Sequence, residues 1–420
     1  MLRQIHIRNF KSVADLKLDL GRFNVFIGEN GCGKSNILEA IAFAAAASIA
    51  KLENEFLASR GIRITEPRFM RSAFDMEMSA PIELGATADS DVGMSFTINE
   101  EIAEGQSYPT WKARPKLSNT LRQTIKKTAR GSAPLSLQFF KPTDASQIYE
   151  EFLKTAEGTQ IFEKFEQILK KTLSEKQRRK VFSSVINTLD IGLQMAERFP
   201  LFNFLIYAPE NTSLRTFERE GQILPLGIKG EGLFKLLRIL SSAEDKSRWN
   251  ELKKNLRLLD WFEDLEIAPD LAPFEQALRI KDRFLDGDLA RFDQRSSNEG
   301  FLFLLFYFAL FVSSDTPEFF AIDNIDASLN PKTSRELTRR LAELAPKFGK
   351  QVIVTTHNPA VLDGLNLHDD EQRLFVIHRN SKGYTRARRV TAPQPVAGET
   401  PIKLSEAFLR GLLGGLPQNF

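Results

Sequence analysis

The sequence has only one cysteine and no long hydrophobic segment, and each of these features excludes a class of protein. Its single cysteine, Cys32, rules out an intramolecular disulfide and is typical of a reducing cytosol. The first ten residues mix charged with apolar side chains, so they lack the unbroken apolar core of a secretory signal peptide. The most apolar run, 301–312, is shorter than the roughly 20 residues that span a bilayer. We therefore expect a cytoplasmic protein with no membrane partner.

The net charge is also small, although it is unevenly distributed. The 420 residues include 57 basic and 54 acidic side chains, and an overall charge of +3 does not by itself indicate a nucleic-acid partner. Residues 112–180, however, contain 16 basic and 7 acidic residues. Two interpretations stay open: a DNA-binding surface with its main clusters at 126–130 and 170–180, or a solvated helix face.

The order of predicted elements indicates an α/β protein. Short apolar stretches at 23–27, 319–322 and 351–354 predict buried strands, and helical patterns cover 34–50 and 331–344. Alternating strands and helices imply a parallel or mixed sheet that helices cover. We expect five segments: half of a sheet domain at 1–110, a helical basic insertion lobe at 111–200, a connecting segment at 201–290, the second half of the sheet domain at 291–390, and a linker with a short helix (404–413) at 391–420.

A complete phosphate-binding motif lies between the first of these strands and its helix. Residues 28–35 match G-x-x-x-x-G-K-[ST] in the strand–turn–helix context that the motif requires. Glycines let successive N–H groups point at anionic oxygens, and the helix N-terminus adds positive potential. We expect Lys34 to reach the β- and γ-phosphates and the Ser35 hydroxyl to ligate Mg²⁺. The predicted nucleotide contacts are Gly28, Glu29, Asn30, Gly31, Cys32, Gly33, Lys34 and Ser35.

Two further apolar strands are followed by polar residues that suit the binding of Mg²⁺ and phosphate. The strand 319–322 is followed by Asp323, which a parallel sheet would deliver to its mouth beside bound Mg²⁺. The strand 352–356 is followed by His357. Asp323 is therefore predicted to be the second Mg²⁺ ligand, beside Ser35.

In these pieces the chain resembles the RecF/SMC/OLD-like branch of ABC ATPases. The resembling motifs occur in the family's order at 7–12, 28–36, 296–300, 322–331 and 356–359. The resemblance implies an ABC-type P-loop NTPase head that uses Mg-ATP. It also implies a head-to-tail homodimer, or a higher oligomer, in which each ATP lies between the phosphate loop of one subunit and residues 296–300 of the other.

The same resemblance assigns roles by motif position. It implies that Asp323 is the Walker B acid, that Ser328 lies in the D-loop facing the partner subunit, and that His357 is the switch histidine near the γ-phosphate. Further nucleotide contacts are implied for Lys11, Asn36, Ser297, Glu299 and Gly300.

Two departures from the family pattern bear on mechanism. The signature reads Ser-Ser-Asn-Glu-Gly at 296–300, so the motif leaves open which serine faces the partner's phosphate. Asn324 stands where the family has the glutamate that polarises the attacking water, and an amide is not a useful proton acceptor. Losing a general base lowers a rate by about 10²- to 10⁴-fold. We expect slow hydrolysis and a long-lived ATP-bound dimer; the open alternative is that Asp326 or Glu299 acts as the base. The catalytic candidates are Lys34, Asp323, Asn324 and His357.

The residues after His357 bear on whether the chain contains a nuclease as well as an ATPase. Related OLD-like proteins have a Toprim nuclease after the ATPase, whereas the residues after His357 show no nuclease cluster. The chain thus resembles ATPase-only proteins of the PtuA or AriA type, which control a separately encoded effector such as a nuclease. We expect a nucleic-acid-linked sensor or clamp of bacterial anti-phage defence. The alternatives are a RecF-like DNA-repair ATPase and a P-loop small-molecule kinase.

Overall fold

The structure is a computed structural model that describes residues 1–74, 80–101, 110–121, 199–217, 225–267, 277–392 and 402–415. Within these ranges the chain forms three β-sheets with helices packed against them. The strands are β1 (Leu2–Phe10), β2 (Val13–Asp19), β3 (Phe23–Ile27), β4 (Ile82–Ala88), β5 (Gly93–Glu101), β6 (Thr110–Leu117), β7 (Ile206–Tyr207), β8 (Phe262–Ile267), β9 (Leu278–Asp282), β10 (Arg291–Phe292), β11 (Phe319–Ile322), β12 (Gln351–Thr356), β13 (Gln372–Arg379) and β14 (Thr385–Val390).

The helices connect and cover these sheets. The α-helices are α1 (Lys34–Ser48), α2 (Asn54–Ser59), α3 (Pro67–Met70), α4 (Asn211–Thr216), α5 (Leu233–Ser242), α6 (Ser247–Leu256), α7 (Glu299–Val312), α8 (Pro331–Lys347) and α9 (Leu404–Leu409). Short 3₁₀ helices cover Asp89–Asp91, Pro200–Asn203, Gly287–Ala290 and Pro359–Gly364. No helix in the described ranges is both long and apolar enough to cross a bilayer.

A six-stranded mixed sheet forms the centre of the fold, in the order β14-β13-β3-β12-β11-β7. Strand β3 pairs in parallel with β12 on one side and with β13 on the other, and only β14 runs antiparallel to its neighbour. All residues of β3, β11 and β12 are buried. These strands are continuous apolar runs because both faces of the sheet are covered. The expected α/β class is confirmed.

Alternate side chains of the central strands enter two separate hydrophobic cores. On β12, Val352 and Val354 face the core that contains α7 and α8, whereas Ile353 faces the core that contains α1. Helix α7 is buried on all sides from Phe301 to Val312, as expected for a helix enclosed between a sheet and other helices. The ends of β3, β11 and β12 are therefore held rigidly on a packed scaffold.

The second sheet packs against α1, and all of its strands come from residues 2–117. Its order is β2-β1-β4-β5-β6, with every pair antiparallel. Strand β6 runs past residue 110 and packs Trp111 against Phe43 of α1, with ring centroids 5.4 Å apart. The segment boundaries that we expect from the sequence stay predictions. A third, three-stranded sheet has the order β10-β9-β8.

For the few elements whose bounds the sequence predicts, the observed ends lie within a few residues of the expected ones. Strand β11 has the expected bounds, β12 covers both expected stretches (351–354 and 352–356), and α9 ends at Leu409 instead of residue 413. Helix α7 begins at Glu299 because the Asn298 carboxamide caps it, accepting a hydrogen bond from the Phe301 N–H at 2.8 Å. Most of the expected basic lobe, including clusters 126–130 and 170–180, lies outside the described residues.

Candidate functional site

The Gly28–Ser35 loop runs from the end of β3 into α1, at the carboxyl edge of the central sheet. Gly31 and Gly33 have φ of 74° and 108°, a backbone region that glycine occupies without a steric cost. A Cβ at Gly33 would lie 2.1 Å from Thr385 Oγ1, and one at Gly28 would lie 2.1 Å from the Ile377 carbonyl oxygen. Only glycine fits these two positions.

The side chain of Lys34 is buried and folds back against the first residues of its own loop. Its ammonium donates to the carbonyls of Gly28 and Glu29, at 2.9 and 3.1 Å. Burial lowers the pKa of Lys34, and the carboxylates of Asp323 and Asp326 oppose that shift. The ammonium therefore lies inside the loop at the position where the motif predicts phosphate contacts.

Ser35 and Asp323 meet across 288 residues of sequence. The Ser35 hydroxyl donates to Asp323 Oδ2 at 3.0 Å, and the Thr355 hydroxyl donates to Oδ1 of the same carboxylate. A hydroxyl and a carboxylate are hard oxygen donors, which fit Mg²⁺. The pair that the sequence predicts as Mg²⁺ ligands is thus brought together, and Thr355 adds an orienting contact that no motif identified.

His357 follows β12 directly and lies beside the lysine. Its Nδ1 is 3.5 Å from Lys34 Nζ. Burial lowers the pKa of His357 and the positive charge of Lys34 lowers it further, so the imidazole is neutral at pH 7. A neutral ring can accept a hydrogen bond on one nitrogen and donate from the other.

Cys32 occupies a free position in the loop and is buried. Burial raises the pKa of its thiol, although the positive charge of Lys34 acts in the opposite direction. The thiol is therefore disfavoured as a thiolate, which agrees with a small residue tolerated in the loop.

The segment after β11 carries an amide and a second acid. Asn324 is exposed, has a φ of 54°, and donates its backbone N–H to Thr355 Oγ1 at 2.9 Å. Asp326 accepts a hydrogen bond from the Thr356 hydroxyl at 2.5 Å. The ends of β11 and β12 are joined by these two threonine contacts, which hold residues 323–326 at the mouth of the sheet.

The signature segment lies at the start of α7. Ser297 is buried and its hydroxyl donates to the Gln294 carbonyl at 2.9 Å, whereas Ser296 is exposed. The N-cap position belongs to Asn298, which the sequence reasoning did not select although asparagine is a preferred N-cap residue. Glu299 accepts a hydrogen bond from Ser328, so the segments predicted to be the signature and the D-loop are in contact within one chain. The partner-facing roles of Ser297, Glu299, Gly300 and Ser328 stay predictions.

Lys11 is held in a buried ionic cluster beside α1. Its ammonium pairs with the Glu39 carboxylate, which also pairs with Arg63, and Glu39 is only 2% exposed. Asn36 links this cluster to the loop region by donating to the Ser12 hydroxyl at 2.7 Å. Glu39 and Arg63 were missed because their partners lie 24 or more residues away in the sequence.

An open pocket of about 400 Å³ adjoins this cluster and reaches Asn36 in the first turn of α1. Basic and aromatic side chains are prominent in its lining, which consists of Lys11, Ser12, Asn36, Arg63, Thr65, Phe69, Arg71, Ala73, Phe74 and Arg379. Such a lining suits a flat aromatic group that is attached to phosphates.

Comparison with known proteins agrees with this geometry. Residues 23–363 match the family model described as "AAA domain, putative AbiEii toxin, Type IV TA system". The chain is similar to an ATP/GTP phosphatase of Helicobacter pylori, with 28% identity over 138 residues, 30% of this chain and 37% of that protein. It is also similar to the DNA replication and repair protein RecF of Lactococcus lactis, with 53% identity over 45 residues, 10% of this chain and 12% of RecF. The matched segments thus span well under half of these relatives.

One solved structure has a similar fold over nearly the whole chain. An SMC head, solved as the "SmcHead bound to the C-winged helix domain of ScpA", superposes with a TM-score of 0.51 over 93% of this chain and 97% of that one. The sequence identity is 13%, so the likeness concerns the fold. It confirms the ABC-type P-loop head expected from the motifs.

Proposed function

The chain belongs to the AAA-domain family matched by residues 23–363, and from this premise we propose that it is a slow Mg-ATPase. It closes as a head-to-tail homodimer around ATP. In that state it acts as a nucleic-acid-linked sensor or clamp that controls a separate effector protein, such as a nuclease, in bacterial anti-phage defence. The observation that carries the proposal is the contact of Ser35 with Asp323 directly beneath the glycine loop.

The nucleotide fits the site in two parts. The loop N–H groups, Lys34 and the N-terminus of α1 suit a triphosphate, and the open pocket of about 400 Å³ suits the nucleoside. Ser35 and Asp323 would hold Mg²⁺, which would neutralise charge on the phosphate oxygens. His357, neutral and next to Lys34, is suited to contact the terminal phosphate.

Slow turnover supports a clamp more than a motor. Position 324 follows the Walker B acid directly, and its carboxamide is a poor proton acceptor. An enzyme that binds ATP well and hydrolyses it slowly stays closed for a long time, which gives a partner protein time to respond to the closed form.

The proposal predicts an ATP-dependent dimer. In light scattering, Mg-ATP should raise the mass from 47.6 kDa to about twice that value, with little phosphate released during the measurement. Ser328→Trp, at an exposed D-loop position, should prevent dimerisation while ATP binding is retained. A chain that stays monomeric with Mg-ATP and phosphorylates a small molecule would instead favour the kinase alternative.

DNA binding is supported by the part of the basic region that the structure describes. Lys112, Arg114 and Lys116 share one face of the edge strand β6, because alternate strand residues point the same way. All three are exposed, and Glu101 is the acid that Lys112 and Arg114 contact, at 2.9 and 3.9 Å. One carboxylate does not neutralise three cations, so this face of β6 can contact a phosphate backbone.

Reversing the charge of all three residues to glutamate should weaken binding of short DNA at low salt. Because neutralising a phosphate releases counterions, the slope of log affinity against log salt should fall by about 0.9 for each phosphate that the variant no longer neutralises. Fluorescence anisotropy over a salt series measures both quantities.

A matched control makes the same charge change elsewhere. Lys235, Arg238 and Lys246 are exposed on or next to α5, away from β6, and their reversal to glutamate should change the DNA affinity less. If the two triple variants lost affinity equally, the change in net charge would explain the loss. That result would contradict DNA binding by β6.

The second candidate function is that of a RecF-like DNA-repair ATPase. The local 53% identity to RecF favours it, although that match covers 10% of this chain. The two candidates differ in the partner: a repair factor would load repair proteins onto DNA, whereas the defence ATPase would hold or release a toxic effector. Co-expression with proteins encoded next to it separates the two candidates, because only the defence ATPase predicts toxicity that depends on the ATP-bound form.

A further inference from the structure

Asp326 is anchored at the edge of the sheet from which the phosphate loop emerges. Its Oδ1 accepts the 2.5 Å hydrogen bond from Thr356, the last residue of β12. Thr356 is paired with Ile27, the residue directly before the loop. In the part of the chain that the structure describes, Asp326 Oδ2 receives no hydrogen bond. One carboxylate oxygen is therefore fixed and the other is available.

The electrostatic surroundings of Asp326 are those of the phosphate site. Burial lowers the pKa of both Lys34 and His357, and the charge of Asp326 opposes the shift in each case. For His357 the influence of Asp326 exceeds that of Asp323. Thr356, which anchors Asp326, directly precedes His357, and His357 Nδ1 is 3.5 Å from Lys34 Nζ. The carboxylate is therefore tethered next to the histidine that lies beside Lys34.

Two other carboxylates of this region, Asp323 and Glu299, also accept hydroxyl hydrogen bonds. Both oxygens of Asp323 accept hydroxyl hydrogen bonds, one from Thr355 and one from Ser35, which is the other predicted Mg²⁺ ligand. Glu299 accepts a hydrogen bond from the D-loop residue Ser328 at the start of α7. Of the two carboxylates whose charges act on His357, Asp323 and Asp326, only Asp326 therefore has an oxygen without a hydrogen bond in the described part of the chain.

We infer that Asp326 accepts the proton of the attacking water, in place of the glutamate that is absent at position 324. The inference rests on the proposed Mg-ATP hydrolysis. The water oxygen bonds to the γ-phosphorus, the bond from that phosphorus to the bridging oxygen breaks, and ADP leaves. The water proton passes to Asp326 Oδ2 and then to solvent. Because a base at 326 lies two positions beyond the usual one, turnover is retained but slow.

The test replaces one oxygen by nitrogen and changes little else. Asp326→Asn keeps the shape and an acceptor for Thr356 but cannot take up a proton in the reaction. Turnover should fall by at least about 10²-fold, within the range for general-base removal. ATP affinity in calorimetry should be unchanged, and the ATP-bound dimer should live longer in light scattering.

A matched control and a rescue separate base catalysis from a structural role. Asp363 is also a half-buried acid that accepts a hydroxyl hydrogen bond, from Ser405 at 2.7 Å, so Asp363→Asn should hydrolyse ATP like the wild type. Adding Asn324→Glu to Asp326→Asn should restore turnover, because it supplies a carboxylate from the neighbouring position. A purely structural defect would not be rescued in this way.

The outcomes distinguish this inference from the function on which it rests. Wild-type turnover in Asp326→Asn, or an inactive double variant, would overturn the role of Asp326 alone. A wild-type chain that shows no heat with Mg-ATP and no phosphate release would overturn the proposed function, and the inference with it.

Discussion

Replacing Asn324 by glutamate should raise ATP turnover by about 10²-fold or more, since a well-placed general base contributes about 10²- to 10⁴-fold. The position is held by its backbone, because the Asn324 N–H is bonded to Thr355 Oγ1 at 2.9 Å. The new carboxylate would therefore start from the same fixed point as the amide that it replaces. Steady-state phosphate release measures the change.

A control variant and a melting temperature accompany the prediction for Asn324→Glu. Asn324→Gln has the length of glutamate without its charge and should show no acceleration. Asn324 has a φ of 54°, a region that asparagine tolerates better than glutamate, so Asn324→Glu should melt at a slightly lower temperature. Unchanged turnover in a folded Asn324→Glu variant would mean that the amide does not limit the reaction, and the clamp would lose its chemical basis.

Replacing Lys34 by methionine should weaken ATP binding by about 10²-fold, because a hydrogen bond to a charged group contributes about 1.5–3 kcal/mol. Methionine keeps the buried stem and removes the ammonium that lies between the carbonyls of Gly28 and Glu29. Calorimetry with Mg-ATP measures the affinity. The ATP-dependent dimer should disappear at nucleotide concentrations that saturate the wild type.

The weaker binding should come from the missing charge and not from unfolding. Burial lowers the pKa of Lys34, so the charged side chain is disfavoured inside the loop, and Lys34→Met should unfold no earlier than the wild type without nucleotide. Lys235→Met, on the exposed face of α5, is the matched control and should bind ATP normally. Equal affinity in Lys34→Met and wild type would contradict the assignment of the loop.

Much of the geometry of the candidate site could be predicted because its core is local. The loop at 28–35 is one contiguous stretch, and its glycines, Lys34 and Ser35 are specified by backbone geometry and by the start of one helix. Strands β3, β11 and β12 were also predictable, since strands buried on both faces have unbroken apolar sequences. Helix ends were less accurate, because caps such as Asn298 act through a single side chain.

The contacts that distinguish this site from its motifs could not be predicted. Thr385, on the edge strand β14, donates to the Cys32 carbonyl at 2.8 Å from 353 residues away, and no local pattern marks it. The Lys11–Glu39–Arg63 cluster likewise depends on how the second sheet lies over α1. The signature gave no basis for choosing between two serines, one of which is buried and the other exposed.

By itself, the sequence determined the α/β class, the phosphate loop and the amide at position 324, because each follows from residue types within a short stretch. Only the tertiary structure decided which hydroxyl group each acid contacts: Asp323 contacts Ser35, Glu299 contacts Ser328, and Asp326 contacts Thr356. The physical reason is strand order. Parallel neighbours place their carboxyl ends at one edge of the sheet, and that order arises from the packing of two cores and not from any one segment.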